Sequence, residues 1–342
     1  MYENFESSAD DFLDKSILLM GGSDTGKTTI IRHIAYDIRE DITSVIVFCP
    51  TNSVHHTYDK IATLPCIHSD INVDVLNDMF DRQAVHKSTH DAANQPELID
   101  ALFEHLNPTR LKNYIKKIRL YAEKKAERAR RNDRQDDADT ILAECEATIE
   151  KIKKSHIAKH RAALLENRDL TPEESKAAKF FDLTYRIVVI FDDCSDQLQP
   201  LKSNPIIKKF FNQGRHNGMT IIIACHSHAT LLPEQKNGAA MTFVTESKIA
   251  RALFSDPKSF DRTSRKQALE ATAAILENPT AKWDKLMYRR GHTGKFYRFQ
   301  ADPSRKDFSA QHPIVAEFCE LISVDPNAPI SSKFAFDSSR RR

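Results

Sequence analysis

Over the first sixty residues, short apolar runs alternate with helical periodicity. Ser16–Met20 reads SILLM and runs straight into glycines. The stretch Lys27–Glu40 follows, with Ile30, Ile31, Ile34 and Ile38 recurring on one helical face. Thr43–Phe48 (TSVIVF) is rich in β-branched residues, and Cys49–Pro50 ends it. Runs that are apolar on both faces are the mark of parallel strands covered by helices. Two more such runs occur later, Ile187–Phe191 (IVVIF) and Thr220–Ala224 (TIIIA), and Met241–Thr245 is a fifth with less even alternation. This grammar predicts an α/β fold with a mostly parallel sheet.

Between about Gln95 and Phe181 the grammar changes. From Arg110 to Arg168 there is neither proline nor glycine. Leu111, Ile115, Ile118 and Ala122 are spaced 4, 3, 4, a pattern that weakens past Ala122. Beyond a polar break at Asn132–Asp137, the residues Leu142, Cys145, Ile149, Ile152 and His156 are spaced 3, 4, 3, 4. That spacing predicts a helical hairpin or short coiled coil. A further helix starts firmly, with Thr171 as N-cap, Pro172 at the first helical position and Glu174 closing a capping box. Without this stretch the two flanking halves make one ordinary α/β core, so it reads as an insertion. The expected organisation is a discontinuous core over 1–95 and 170–260, a charged helical insertion over 96–169, and a C-terminal region over 261–325. After Thr245 the pattern predicts a helix over Ser247–Phe254 at the end of the core and one over Ser264–Glu277 in the C-terminal region, then a basic hairpin with arms KLMYRR and KFYRFQ around Gly291–Gly294. Residues 326–342 read as a loose tail.

Composition narrows the class. Apolar residues make up 40% of the 342 and charged residues 29%, enough to build a real core. No apolar run is long enough to span a membrane, and the acidic opening MYENFESSADD is unlike a secretory signal. Fifty basic residues against 48 acidic ones leave only +2, so the distribution of charge matters more than its sum. Six cysteines without a CxxC spacing point to a reducing compartment and no structural zinc.

The chemistry starts at Gly21-Gly22-Ser23-Asp24-Thr25-Gly26-Lys27-Thr28, which fits G-x-x-x-x-G-K-[ST] between a strand and a helix and runs on into Thr29. Glycines let backbone N–H groups wrap a phosphate, and the helix N-terminus adds a favourable dipole. Lys27 would reach the β- and γ-phosphates, and the Thr28 hydroxyl would hold Mg²⁺. Asp24 is unusual here, since an acid in this loop has to point away from the phosphates. The run Ile187–Phe191 delivers Asp192 to the metal shell and Asp193, one residue on, to the attacking water. A guanine-reading motif is missing; the nearest approach, Ala281-Lys-Trp-Asp284, lacks its first residue and falls on an expected helix. ATP is therefore the expected nucleotide. Arg215 and His216 precede the strand TIIIA, which ends in Cys225-His226-Ser227-His228. His226 or Ser227, at the end of a strand beside the phosphate-loop strand, is the candidate γ-phosphate sensor. Arg215 has no partner in its own site and is a candidate for a neighbouring subunit's phosphates.

Together LLMGGSDTGKTT, VIVFCP, IVVIFDD, GRHNGMTIIIA and the Leu232–Pro233 step resemble the poxvirus A32-like genome-packaging ATPases, a branch of the FtsK–HerA superfamily of P-loop NTPases. The likeness covers roughly residues 15–80 and 180–260. It implies a RecA-like core assembled as a homo-oligomeric ring on double-stranded DNA. It also implies a capsid or portal-vertex partner, and a place at viral assembly sites in the host cytoplasm or in the virion. By the same likeness Lys27 and Thr28 serve phosphate and metal, Asp192 the metal, Asp193 catalysis, and Arg215 acts in trans. Cys225-His226-Ser227 departs from the Ser-Gln that the family often shows, and the helical insertion lies outside the matched core.

The expected function is ATP-driven translocation of duplex DNA into a capsid. Two other readings share the phosphate loop: a small-molecule or nucleoside kinase, and a nucleotide-gated scaffold. Two stretches concentrate positive charge. Arg110–Arg134 has eleven basic residues against three acidic, and Ala281–Lys306 has eight against two. The second, stiffened by Tyr288, Phe296, Tyr297 and Phe299, is the expected DNA element.

Overall fold

The computed structural model describes residues 2–181, 184–226, 231, 233–257, 259–278, 283–291, 295–313, 315, 316 and 319. The chain packs as two compact units, one made of 1–84 with 184–342 and the other of 85–183.

In the first unit, β1 (Ser16–Met20) leads through the phosphate loop into α1 (Lys27–Ile38), and β2 (Ser44–Phe48) and β3 (Ile67–His68) follow. Helix α2 (Val73–Ala93) was not anticipated from the sequence, because no clear apolar stripe marks it. In the second unit lie α3 (Pro96–His105), α4 (Thr109–Arg131), α5 (Gln135–Lys159) and α6 (Pro172–Phe180). The chain returns to the first unit with β4 (Ile187–Asp192), α7 (Pro205–Gln213), β5 (Met219–Cys225), β6 (Met241–Val244), α8 (Ser247–Phe254), α9 (Arg262–Ile275), β7 (Lys285–Arg289) and β8 (Lys295–Phe299).

The eight strands form one sheet in the order β3-β2-β4-β5-β1-β6-β7-β8. Pairings from β3 across to β6 are parallel, and β7 and β8 add to that edge antiparallel. Strands β1, β4, β5 and β6 are buried at every position, as apolar runs without alternation require. The pleat divides β1 between two cores. Ile17 and Leu19 join Ile30, Ile31, Ile34 and Ile38 of α1 on one face, while Leu18 and Met20 join Phe210 of α7, Phe254 of α8 and Ile275 of α9 on the other. Strand β5 lies between β1 and β4, so the phosphate-loop strand and the strand carrying the paired aspartates are second neighbours, the RecA-like order.

In the unit 85–183, α4 and α5 form the antiparallel hairpin that the heptad spacing implies. Past Ala122, where large apolar residues run out, α4 stays helical to Arg131. Alanine carries that part of the seam: Ala126 and Ala129 pack against Ala138, with Ile141 and Leu142 beside them. The smallest side chains let the two backbones come close, which a search for large apolar residues undervalues. The capping box at Thr171 forms, with the Glu174 amide donating to Thr171 Oγ1 and the Thr171 amide to Glu174 Oε2.

Two local expectations fare differently. Both arms of the basic hairpin are strands, paired from Lys285–Phe299 to Arg289–Lys295. Asp284, by contrast, precedes β7 directly and is 3% exposed, rather than sitting on a helix. It accepts hydrogen bonds from Gln300 at 2.5 Å and an ion pair from Arg298 at 3.3 Å, which commits it to structure and not to a base.

Candidate functional site

The site is built at the carboxyl ends of β1, β4, β5 and β6, where four parallel strands release their loops side by side. Gly21 closes β1, its amide donating to Cys225 O at 3.1 Å. A Cβ on Gly21 would lie 1.7 Å from Thr245 Oγ1, so only glycine fits between this loop and the end of β6. Gly26 caps α1 with φ +95°, a left-handed conformation that glycine adopts without steric cost. Asp24 is exposed, with φ +58°, a region that aspartate tolerates better than most residues. Thr25 donates to Gly22 O at 2.9 Å and is bonded by Thr245 Oγ1 at 2.6 Å, which ties the loop tip to β6. The Gly22 amide donates to the Glu246 carboxylate.

Lys27 is 8% exposed. Its ammonium donates to Gly21 O at 2.9 Å and to Gly22 O at 2.7 Å. Burial holds its pKa below the usual lysine value, with Asp192, Asp193 and Glu246 pulling the other way. The low exposure excludes water, and the carboxylates keep the cation charged.

Asp192 ends β4 at 7% exposure. Its Oδ2 accepts a 2.7 Å hydrogen bond from the hydroxyl of Tyr58, which is fully buried. Burial raises the Asp192 carboxyl above its ordinary value, and both the Tyr58 hydroxyl and Lys27 oppose that rise. Tyr58 in turn is pushed well above the usual phenol value by its burial. It is fixed from behind, because its amide donates to Asn52 Oδ1 at 2.9 Å and Asn52 donates to Asp59 at 2.9 Å. Asp193 turns sharply at φ +57°, and its Oδ1 lies 3.0 Å from His226 Nε2.

Lys27, Asp192, Asp193 and His226 therefore converge at one edge of the sheet. Ser227, the other sensor candidate, and His228 lie outside the described residues. Arg215 stands elsewhere. It sits in the turn Gly214–Asn217 before β5, at the end of that strand away from the phosphate loop. There, with Lys15, Arg289 and Arg290, it lines a cavity of about 790 Å³. Its Nε donates to His216 at 3.3 Å, and seven residues of β5 separate it from the site of its own chain.

Tyr58, Thr245, Glu246 and Lys285 went unnoticed in the sequence. Lys285 opens β7 with its Cε 3.5 Å from where a Cβ on Gly26 would sit. Thr245 and Glu246 carried a signal, since they follow a buried parallel strand at the edge where such sheets bind ligands. Tyr58 carried none: it is 134 residues from its partner.

The donors suit the groups that the motif implies. The loop has the two glycine positions that a wrapped phosphate demands, at Gly21 and Gly26, and a buried lysine. The Thr28 hydroxyl and the Asp192 carboxylate are hard oxygen donors of the kind Mg²⁺ takes. The Tyr58 hydroxyl bonds Oδ2 of Asp192. Among the described residues no cluster of three or more His, Cys, Asp or Glu could hold a metal by itself.

No family model matches the chain. Over 94% of its length the chain is 24% identical to the uncharacterized protein B354L of African swine fever virus, covering 93% of that protein. The fold is similar to the genome packaging NTPase B204 of Sulfolobus turreted icosahedral virus 2 in complex with AMP, at 12% identity and TM-score 0.42, over 84% of this chain and 98% of that one. It is also similar to the pCW3 conjugation coupling protein TcpA, at 13% identity and TM-score 0.40, over 91% of this chain and 65% of that one.

Proposed function

We propose that this protein is a Mg²⁺-dependent ATPase that drives duplex DNA into a viral capsid, working as a homo-oligomeric ring. One observation carries the reading: a buried phosphate-loop lysine, a buried strand-end aspartate and a second aspartate paired with histidine meet at the carboxyl edge of a parallel sheet. Such an edge binds and cleaves a nucleoside triphosphate.

In this mechanism the loop amides and Lys27 hold the β- and γ-phosphates. Asp193, oriented by His226, takes the proton of the attacking water and aims its oxygen in line with the γ-phosphorus. Thr28 and, through water, Asp192 would hold Mg²⁺, which when bound offsets charge on the phosphate oxygens. Tyr58 keeps the Asp192 carboxylate ionised and fixed. Glu246 and Thr245 hold the loop in its wrapped form before substrate arrives, so little reorganisation accompanies binding. Arg215 is too far along β5 to serve its own site, and we assign it to the γ-phosphate of an adjacent copy. Doping Arg215→Ala subunits into the native protein should then depress hydrolysis more steeply than dilution; a linear fall would return Arg215 to a structural role.

The resemblance of the motifs to packaging ATPases supports the choice of DNA as the moved polymer, and of a capsid or portal-vertex protein as the docking partner at viral assembly sites. The deciding experiment measures phosphate release from ATP with and without duplex DNA. A severalfold stimulation at low salt is expected. Transfer of the γ-phosphate to a nucleoside or other small acceptor, with no response to DNA, would make the protein a kinase. Tight ATP binding without turnover would make it a scaffold.

A further inference from the structure

Helix α4 presents two different sides within the unit 85–183. Ile115, Ala122, Ala126 and Ala129 are buried. A second stripe, Arg110, Tyr114, Lys117, Tyr121, Lys124 and Arg128, runs at spacings of 4, 3, 4, 3, 4 and is exposed at every position. Tyr114 is 55% exposed and Tyr121 72%. The stripe contains no carboxylate. Glu123 and Glu127, the two acids of the helix, fall on a different side, and Glu127 is held by Arg131.

The remaining cations of this region are largely taken. Lys112 pairs with Glu104, Arg119 makes two 2.9 Å bonds to Glu146, Arg130 lies 3.7 Å from Asp139, and Arg134 lies 3.5 Å from Asp137. Among the described residues the four cations of the stripe make no ion pair. A helix charged only for solubility mixes signs and places acids four residues from bases. This stripe does neither, and it keeps two aromatic rings in water between its charges. From Arg110 to Arg128 it is about 27 Å long, at 1.5 Å per residue.

The C-terminal hairpin, expected to carry DNA, spends its charge differently. Arg289 pairs with Asp11 at 3.0 Å, and Arg298 with the buried Asp284. Arg290 donates to Asn237 at 3.2 Å, and its guanidinium lies 5.9 and 5.8 Å from the ring centres of Phe260 and Tyr288. Tyr288, Phe296 and Phe299 are core residues. This hairpin is a sheet edge knit into the fold.

We propose that the α4 stripe, and not the C-terminal hairpin, is the surface that grips the phosphate backbone of duplex DNA. The inference rests on the reading of this protein as a DNA motor. Four unpaired cations on one line match a line of phosphates. The tyrosines add hydroxyl donors to phosphate and flat apolar faces to sugar. The grip is independent of base sequence, as a motor requires, because nothing on the stripe is shaped to read base edges.

The test uses the full chain with Arg110, Lys117, Lys124 and Arg128 all changed to Gln, a residue that forms helix about as well. Binding to a mixed-sequence duplex is followed across a salt series, with basal ATP hydrolysis as the check on folding. Affinity at low salt should fall by about a hundredfold, and the slope of log K against log salt should flatten by up to about 3.6, at roughly 0.9 per lost phosphate contact. Basal hydrolysis should be unchanged. A Tyr114→Ala/Tyr121→Ala variant should lose affinity and keep the slope. Native affinity and slope in the fourfold variant would overturn the inference, as would equal displacement of DNA by poly-glutamate at the same charge concentration, which would mark an acidic-protein surface. If the native protein itself binds no DNA, it is the motor reading that fails.

Discussion

At the carboxyl edge of the sheet, Lys27 and Asp192 are 8% and 7% exposed and are held among fixed hydrogen bonds. Along α4 the cations stand in water, and many are paired with acids that are themselves more than half exposed, such as Glu104, Glu146 and Asp139. Charge in the first region is costly to bury and is kept only because partners surround it, so each side chain there is held by specific contacts. Charge in the second is cheap, and each pair contributes little. Function there arises from the pattern on a face and from no single residue. Single substitutions should therefore be severe at the edge of the sheet and mild on the helix.

The largest effects are expected at the phosphate loop. Lys27→Ala should abolish tight Mg-ATP binding and lower turnover by about 10³-fold or more, since it removes the buried charge that we assign to the phosphates. Asp193→Asn should keep most of the binding and lose about 10²-fold in turnover, because it removes a positioned base. Equilibrium nucleotide binding alongside phosphate release distinguishes the two, and near-native turnover in the Asp193 variant would remove that residue from the mechanism.

Tyr58→Phe should act through Asp192. Burial raises the Asp192 carboxyl while the Tyr58 hydroxyl, donating to it, holds it down. Deleting the hydroxyl lets the pKa rise further, so the ionised form is lost at a higher pH on acidification. The acid limb of kcat/KM against pH should move upward, and activity near neutrality should fall by something under about tenfold. An unmoved acid limb would make Tyr58 a packing residue.

How much of this was legible in the sequence follows the same division. The strands β1, β4 and β5 are uninterrupted apolar runs, and the phosphate loop and paired aspartates sit at their ends, so local pattern alone located Lys27, Asp192 and Asp193. Tyr58 reaches the site by tertiary contact over more than a hundred residues, with no local trace, whereas Glu246 is marked only by its place just after a buried parallel strand. Helix α2 lacks a clear apolar stripe, and the end of α4 packs through alanines, so periodicity of large side chains could not mark either. The α4 stripe was written in the sequence at helical spacing. It meant nothing until the structure showed which side of the helix was buried and which cations were already paired.

Smaller effects sharpen the contrast within the helical unit. Ala129→Leu, forced into the close seam against Ala138, should cost about 1–3 kcal/mol by overpacking, and Glu146→Gln, which breaks an exposed pair with Arg119, under about 1 kcal/mol. Thermal unfolding should rank them in that order, and both should leave basal hydrolysis near native. A larger loss from Glu146→Gln would mean that the surface pairs, and not the alanine seam, hold the hairpin.

We propose that ATP hydrolysis at the sheet edge moves the protein along duplex DNA. Displacement of a third strand from a triplex-bearing duplex reads that movement directly. The native protein with Mg-ATP should release the third strand at a rate that rises with ATP, and the Asp193→Asn variant should bind the same duplex without releasing it. Hydrolysis stimulated by DNA with the third strand left in place would mean that the protein turns over ATP on DNA without moving along it.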